Sequence, residues 1–146
     1  MKADGSFVIG EYDLLEEISS DLVQACGGRG VILRDGQPYE ISYTEGGDDL
    51  GVNVHPRTAV GFRENGDLLI VVADGRQSGY SVGMNLVDLA QVFKSLGAVS
   101  ALNLDGGGSS TFVTKNADGS LSVKNKTSNS GGALRAVGDC LILTAA

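Results

Sequence analysis

Apolar residues recur at helical spacing in two stretches of the chain. The first stretch, residues 11–26, contains Leu14, Leu15, Ile18, Leu22 and Ala25. The second contains Leu86, Leu89, Ala90, Phe93 and Leu96. Glycines follow both stretches, as is typical of helix ends, and Asn85 before the second is a favourable N-cap. The pattern therefore predicts two main helices.

Short apolar or alternating segments bounded by turn residues predict β-strands over much of the remaining chain. Asp35-Gly36 favours a hairpin between residues 30–34 and 37–43, and residues 64–67 favour another between residues 59–63 and Leu68–Ala73. Further strands are predicted at residues 6–10, 102–104, 111–114, 121–123 and 133–144. The predicted fold class is α+β (mixed α/β), a largely β framework of mixed sheet with two main helices.

The segment Leu68–Ala73 is apolar without alternation, which predicts a central strand buried on both faces. If it runs parallel to and beside the strand at residues 102–104, the helix between them forms a right-handed crossover. The carboxylates that follow these two strands, Asp74 and Asp105, would then lie at the same end of the sheet. We expect them to share one site.

Composition narrows the class of protein. The 146 residues suit one domain, residues 1–146, and no apolar run approaches the ~20 residues that span a bilayer. The net charge of −7 argues against a nucleic-acid partner, because nucleic-acid binding needs a concentrated basic face. Cys26 and Cys140 form no Cys-x-x-Cys pair and only one histidine is present, which argues against a zinc site. One disulfide or two free thiols both remain open.

A glycine-rich segment contains the strongest candidate chemistry. Asp105 stands where a predicted strand ends and three glycines begin, and Ser109 and Ser110 follow. Without Cβ atoms, the backbone amides of such a loop can approach an anion or a sugar closely. Asp74-Gly75-Arg76 repeats the arrangement of strand, carboxylate and glycine. A tight turn with no ligand is the alternative interpretation of either segment.

Several motifs together resemble the phosphodiester glycosidase family. In sequence order they are His55-Pro56-Arg57-Thr58-Ala59, Asp74-Gly75-Arg76, Gly83-Met84 before a Leu-rich helix, residues 103–111 and Arg135. The resemblance covers residues 27 to 146. It implies a hydrolase that cleaves a sugar-1-phosphodiester, of the α-N-acetylglucosaminyl type, to free sugar and phosphomonoester.

The resemblance also suggests a role for each residue. Asp105 is the expected base or nucleophile and Asp74 the second catalytic carboxylate, since cleavage at an anomeric carbon passes through an oxocarbenium-like state. Arginine forks and loop amides suit a phosphate leaving group. The expected substrate- and phosphate-binding residues are Arg57, Thr58, Arg76, Asn103, Gly106, Gly107, Gly108, Ser109 and Arg135. His55 is expected to be a loop residue rather than a general base.

Other expectations concern ligands, partners and location. No cofactor is predicted, and the acidic loop at residues 45–51 leaves a divalent cation such as calcium as an alternative to a solvated loop. A non-catalytic carbohydrate- or phosphate-binding module is the alternative function. The resemblance implies carbohydrate or exopolysaccharide metabolism in a secreted or extracytoplasmic location, although residues 1–4 do not begin a signal peptide.

The family pattern normally begins upstream with strands and an Asn- and Gly-containing segment that nothing before residue 27 matches. We therefore expect an N-terminal portion of the catalytic unit to be absent from these 146 residues. On this expectation the chain associates with that portion or with itself, and alone it is weakly active or inactive.

Overall fold

The computed structural model describes residues 1–10, 21–39 and 49–144. Its main element is a five-stranded sheet with the strand order β2-β1-β5-β3-β4. The strands are β1 (Val31–Arg34), β2 (Gln37–Pro38), β3 (Arg57–Arg63), β4 (Leu68–Ala73) and β5 (Ala98–Asn103). A two-stranded sheet pairs β6 (Val113–Lys115) with β7 (Leu121–Val123). The predicted β-rich framework is confirmed.

The helical content is smaller than predicted. Within the described ranges a ten-residue helix, α2 (Leu86–Ser95), follows the single turn α1 (Asp49–Val52), and short 3-10 turns occupy Gly107–Ser109 and Ser130–Gly132. Asn85 caps α2 as predicted, since its side chain accepts a 2.7 Å hydrogen bond from the amide of Asp88. The other predicted helix is not confirmed, because residues 21–26 are not α-helical and residues 11–20 lie outside the described residues.

The two predicted hairpins are present, with Asp35-Gly36 and residues 64–67 at their turns, and the strands predicted at residues 111–114 and 121–123 pair as a third hairpin. The sheet is not mixed, however, because every strand pair in the described residues is antiparallel. Both β4 and β5 pair with β3 and are therefore parallel to each other without being neighbours. The prediction of adjacent parallel strands is wrong because α2 carries the chain across β3.

The strand β4 lies at an edge of the sheet and is half-buried along its whole length. Leu69 and Val71 pack against the core, whereas Ile70 and Val72 face the other side of the sheet. The prediction of a central strand buried on both faces is therefore wrong. A continuous apolar run indicates two partly covered faces and does not give the strand's place in the sheet.

The core lies between α2 and one face of the sheet. It consists of Ile32, Leu33, Ala59, Leu86, Leu89, Ala90, Phe93, Ala98 and Ala101. Phe93 is fully buried because β3 carries a glycine opposite it: a Cβ at Gly61 would lie 2.8 Å from the Phe93 ring. The second predicted helix thus supplies most of the covering layer and fixes one side of the sheet.

Two further strand predictions are wrong. Residues 6–10 and residues 133–144 form no strand, and the latter are exposed throughout. No described strand offers them a paired edge, so a segment rich in apolar residues does not by itself form ladder hydrogen bonds. Residues 40–43 of the first predicted hairpin lie outside the described residues.

The described residues limit what can be said about metals, thiols and membranes. No cluster of three or more His, Cys, Asp or Glu side chains occurs among them, and residues 45–48 of the acidic loop lie outside them. Cys26 and Cys140 are free thiols. Among these residues no helix has the length and hydrophobicity needed to traverse a bilayer.

Candidate active site

Three loops that contain predicted site residues meet at one end of the five-stranded sheet. The start of β3 lies between the carboxyl ends of β4 and β5, because Arg57 is in register with Ala73 and Ala59 with Asn103. Asp74 follows β4 and Asp105 follows the end of β5. The antiparallel arrangement therefore places both carboxylates at the same end of the sheet, as expected.

Glycines allow these loops to pack backbone against backbone. A Cβ at Gly75 would lie 2.7 Å from the Pro56 nitrogen, and one at Gly106 would lie 2.7 Å from the Pro56 oxygen. Gly83 packs equally closely on the backbone of His55 and has φ +102°. The glycines of the family motifs thus join the loops to the segment before β3, and a larger residue would separate them.

Arg76 lies over the glycine-rich loop. A Cβ at Gly107 would lie 3.1 Å from one terminal nitrogen of its guanidinium. The other terminal nitrogen is 3.1 Å from Nδ1 of His55, and because a guanidinium only donates, Nδ1 is the acceptor in this contact. Arg76 has φ +57°, a backbone conformation that is uncommon for any residue except glycine. In this conformation the guanidinium lies beside both Gly107 and His55.

Arg57 is 3% exposed, and its side chain donates to two backbone oxygens of the described residues. Its Nε donates to the carbonyl of Met84 over 2.8 Å, and a terminal nitrogen donates to the carbonyl of Asn53 over 3.0 Å. Burial, with the nearby charge of Arg76 as the second cause, lowers the pKa of Arg57. Through these hydrogen bonds Arg57 fixes the backbone at Met84 and Asn53, and it adds positive charge close to Arg76.

Asp105 is the accessible carboxylate of the site. Its side chain is 68% exposed and its Oδ2 lies 3.6 Å from a terminal nitrogen of Arg135, which is itself 55% exposed. Its Oδ1 accepts a 2.9 Å hydrogen bond from the amide of Gly106. An exposed ion pair of this kind is weak, so an anionic substrate could displace Arg135 from Asp105.

Asp74, in contrast, is enclosed by donors. Its Oδ2 accepts hydrogen bonds of 2.9 Å from the hydroxyl of Tyr80 and the amide of Lys126, and its Oδ1 accepts one of 2.9 Å from Asn125. Partial burial acts to raise the pKa of Asp74, but these hydrogen bonds outweigh it and the pKa is lowered. Asp74 is therefore held in its charged form.

Most amides of the glycine-rich loop donate within the protein. The amide of Gly107 donates to Pro56, that of Ser109 to Gly106 and that of Ser110 to Gly107. Two buried side-chain atoms, Oδ1 of Asn103 and Oγ of Ser109, have no hydrogen-bond partner in the described part of the chain. The loop is thus already organised by hydrogen bonds of its own amides.

The remaining predicted residues line the inner side of this loop. The hydroxyl of Thr58 donates to that of Ser110 over 3.3 Å, and Asn103 donates to the carbonyl of Arg29 over 3.1 Å. The side chain of Asn129 donates to the carbonyl of Gly108 over 2.9 Å. The structure therefore places Arg76 beside Gly107 and in contact with His55, buries Arg57, and groups Asp105 with Arg135 at the loop's entrance.

Sequence reasoning missed the segment at residues 125–129 and Tyr80. Asn125 donates both to Asp74 and to the carbonyl of Ser110, each over 2.9 Å, and its Oδ1 accepts from the amide of Phe112. The Lys126 ammonium lies 4.7 Å from the centre of the Tyr80 ring. The sequence signal that could have identified this segment is the pair of amide side chains, Asn125 and Asn129, four residues apart after β7.

A guanidinium over a glycine-rich loop beside an accessible carboxylate is the kind of site that suits an anionic ligand. Comparison with known proteins gives the particular family. The family model described as phosphodiester glycosidase matches residues 1–144. The chain belongs to the phosphodiester glycosidase family.

Individual relatives agree with this assignment. The N-acetylglucosamine-1-phosphodiester alpha-N-acetylglucosaminidase of Mus musculus is 35% identical over 77% of this chain and 24% of its own length. An uncharacterized SPbeta prophage-derived protein of Bacillus subtilis is 38% identical over 64% of this chain and 15% of its own length. The catalytic domain of the zebrafish glucosaminidase, auto-inhibited by its pro-peptide, superimposes with a TM-score of 0.67 at 31% identity.

The match with the zebrafish domain covers 82% of this chain and 41% of that domain. The chain thus spans about a quarter of the length of the curated mammalian relatives it matches.

Proposed function

We propose that the protein is a hydrolase that cleaves a sugar-1-phosphodiester of the α-N-acetylglucosaminyl type to free sugar and a phosphomonoester. The observation that carries the proposal is the position of Asp105, an exposed carboxylate at the entrance of a loop that Arg76 covers. A base beside fixed positive charge suits a reaction in which a phosphate leaves as an anion.

In the proposed step the bond between the anomeric carbon and the phosphate oxygen breaks, and an oxygen derived from water takes its place. Asp105 accepts the proton of that water, or attacks first and is released by water afterwards. The electron pair of the broken bond stays on the phosphate oxygen. The guanidinium of Arg76, with the charge of Arg57 behind it, stabilises that developing charge.

Asp74 has a different proposed role. With three donors around it, its carboxylate is a poor proton acceptor, and we assign it to substrate positioning and to holding the loops together. The same observation supports the alternative function, a non-catalytic sugar- or phosphate-binding module, because among the described residues of the site it leaves Asp105 as the one accessible carboxylate.

One assay separates the two functions. The protein, in excess over a synthetic α-N-acetylglucosaminyl phosphodiester, is incubated and the free sugar is quantified, so that even slow turnover is detected. Sugar release above that of the Asp105→Asn variant supports the hydrolase. Binding of the diester without any release supports the binding module and contradicts the hydrolase. A secreted or extracytoplasmic location, and self-association, remain part of the same proposal.

A further inference from the structure

A cavity of about 350 Å³ lies between the edge strand β4 and the base of the β6–β7 hairpin. Its lining residues are Ile70, Val72, Asp74, Phe112, Lys124 and Asn125. Its volume is within the range of about 300–1,000 Å³ that small-molecule sites occupy. Asp74 belongs both to this cavity and to the candidate active site, so the two adjoin.

The fold builds the cavity from two independent elements. Ile70, Val72 and Asp74 alternate along β4 and its end, so they share the sheet face opposite α2. Phe112 and Lys124 face each other at the hairpin base, where the amide of Lys124 donates to the carbonyl of Phe112 over 2.8 Å. The hydrogen bond from Asn125 to Asp74 then fixes the hairpin against the sheet.

The polar groups of the cavity retain capacity for a ligand. Asp74 accepts three hydrogen bonds, and a carboxylate has about four acceptor positions, so one position on its Oδ1 is available. The Lys124 ammonium makes no hydrogen bond or ion pair with any residue in the described ranges. Phe112 is 44% exposed and contributes an aromatic wall.

We propose that this cavity is a subsite for a pyranose ring that bears an anionic substituent such as phosphate. The apolar C–H face of the ring packs against Phe112, a ring hydroxyl donates to Oδ1 of Asp74, and the Lys124 ammonium pairs with the anion. The inference rests on the proposed function for the kind of ligand, and it names Phe112 and Lys124 as specificity-determining residues.

Binding measurements with three probes test the subsite: α-N-acetylglucosamine 1-phosphate, N-acetylglucosamine and inorganic phosphate. Changes in the backbone amide NMR signals of Lys124 and Asn125 report binding in the cavity, and titration of each probe gives its affinity. We expect Lys124→Gln to weaken the sugar phosphate about tenfold while leaving the neutral sugar unchanged, because only the charge-assisted contact is lost. Lys115→Gln, the same charge change on β6 away from the cavity, is the matched control.

Phe112→Leu keeps an apolar side chain but removes the ring face, so we expect both sugars to bind about fivefold more weakly, whereas Phe112→Tyr keeps wild-type affinity. Unchanged melting temperatures show that the variants are folded. Equal affinity of wild type and both cavity variants for every probe, or shifts for inorganic phosphate alone, overturns the subsite.

The subsite and the hydrolase can fail separately. If the wild type releases no sugar but the cavity variants still weaken sugar-phosphate binding, the hydrolase is refuted and the subsite stands. If the wild type hydrolyses the diester and the cavity variants match it in binding and in KM, the subsite is refuted and the hydrolase stands.

Discussion

The side-chain amide of Asn125 donates a 2.9 Å hydrogen bond to Oδ1 of Asp74, across 51 residues of sequence. The same nitrogen donates to the carbonyl of Ser110 over 2.9 Å. One side chain therefore joins the end of β4, the end of the glycine-rich segment and the base of the β6–β7 hairpin.

Replacing Asn125 with alanine should destabilise the fold. The change removes both of these hydrogen bonds and the one that Oδ1 of Asn125 accepts from the amide of Phe112. It leaves a partly buried carboxylate with one donor fewer, which costs about 1–3 kcal/mol in the free energy of unfolding. Urea denaturation measures the loss. Asn53→Ala is the control, since Asn53 is exposed and contributes only its carbonyl to Arg57. Equal stability of the two variants would show that the Asn125 network is unimportant.

The Tyr80 hydroxyl should help to set the acidity of Asp74. Its hydrogen bond is one of three that lower the pKa of Asp74 against the opposing effect of burial, so Tyr80→Phe should move that pKa upward toward 3.8. A folded-state pKa below the unfolded value stabilises the protein above about pH 3.8, and this stabilisation is lost as the pH falls through the folded-state pKa. The Tyr80→Phe variant should therefore lose this stabilisation at a higher pH than the wild type does. Carboxyl-carbon NMR titration gives the pKa directly, and an unchanged value would rule out the role of Tyr80.

Asp105→Asn should abolish turnover and preserve the fold, because the substitution is isosteric and removes only the charge and basicity used in the transition state. We expect kcat/KM to fall by more than about tenfold. Affinity for α-N-acetylglucosamine 1-phosphate should remain within a few-fold, since Asp105 competes with an anionic ligand for Arg135. A variant that keeps more than a tenth of wild-type kcat/KM would remove Asp105 from the chemistry.

The two thiols should differ in reactivity. Burial, with Asp139 as the second cause, raises the pKa of the Cys26 thiol, whose sulfur lies 4.0 Å from the Asp139 carboxylate. A smaller fraction of Cys26 is therefore in the reactive thiolate form at mildly alkaline pH. The side chain of Cys140, in contrast, is exposed. Iodoacetamide at pH 8 should label Cys140 first, as peptide mass spectrometry would show, and Asp139→Asn should speed the labelling of Cys26. Equal rates at both thiols in the wild-type protein would contradict this.

Local signals in the sequence predicted what depends on local chemistry. Asp35-Gly36 and the cap at Asn85 appear as expected because turn and cap geometry is decided within a few residues. The order of the strands depends on which strand the chain pairs with after α2, and no local pattern contains that information. The predicted central position of β4 is therefore wrong. The final strand predicted at residues 133–144 is wrong for the same reason, because its apolar residues have no described partner strand.

In the candidate site, too, some features follow from the local sequence and others depend on residues far away along the chain. The motifs that carry Arg57, Asp74 and Asp105 each lie at or beside a predicted strand, and the structure places all three at the same end of the sheet. The enclosed character of Asp74 comes from Tyr80, six residues further on, and from Asn125 and Lys126, which lie 51 and 52 residues away and form no motif with it. Their contribution is visible only once the β6–β7 hairpin is placed against β4.

Gly107 and Gly131 provide a matched pair for testing the loop under Arg76. Both have positive φ, +59° and +66°, so alanine at either position introduces similar backbone strain, about 1 kcal/mol. At Gly131 the new Cβ meets nothing within 4 Å, whereas at Gly107 it lies 3.1 Å from the Arg76 guanidinium.

Gly107→Ala should therefore displace Arg76 as well as destabilise the fold. We expect both variants to lose similar stability in urea, and only Gly107→Ala to bind α-N-acetylglucosamine 1-phosphate more weakly, by about tenfold, because the guanidinium then leaves its place beside His55 and the loop. Equal ligand affinity in the two variants, with equal stability, would show that the position of Arg76 over Gly107 does not serve phosphate binding.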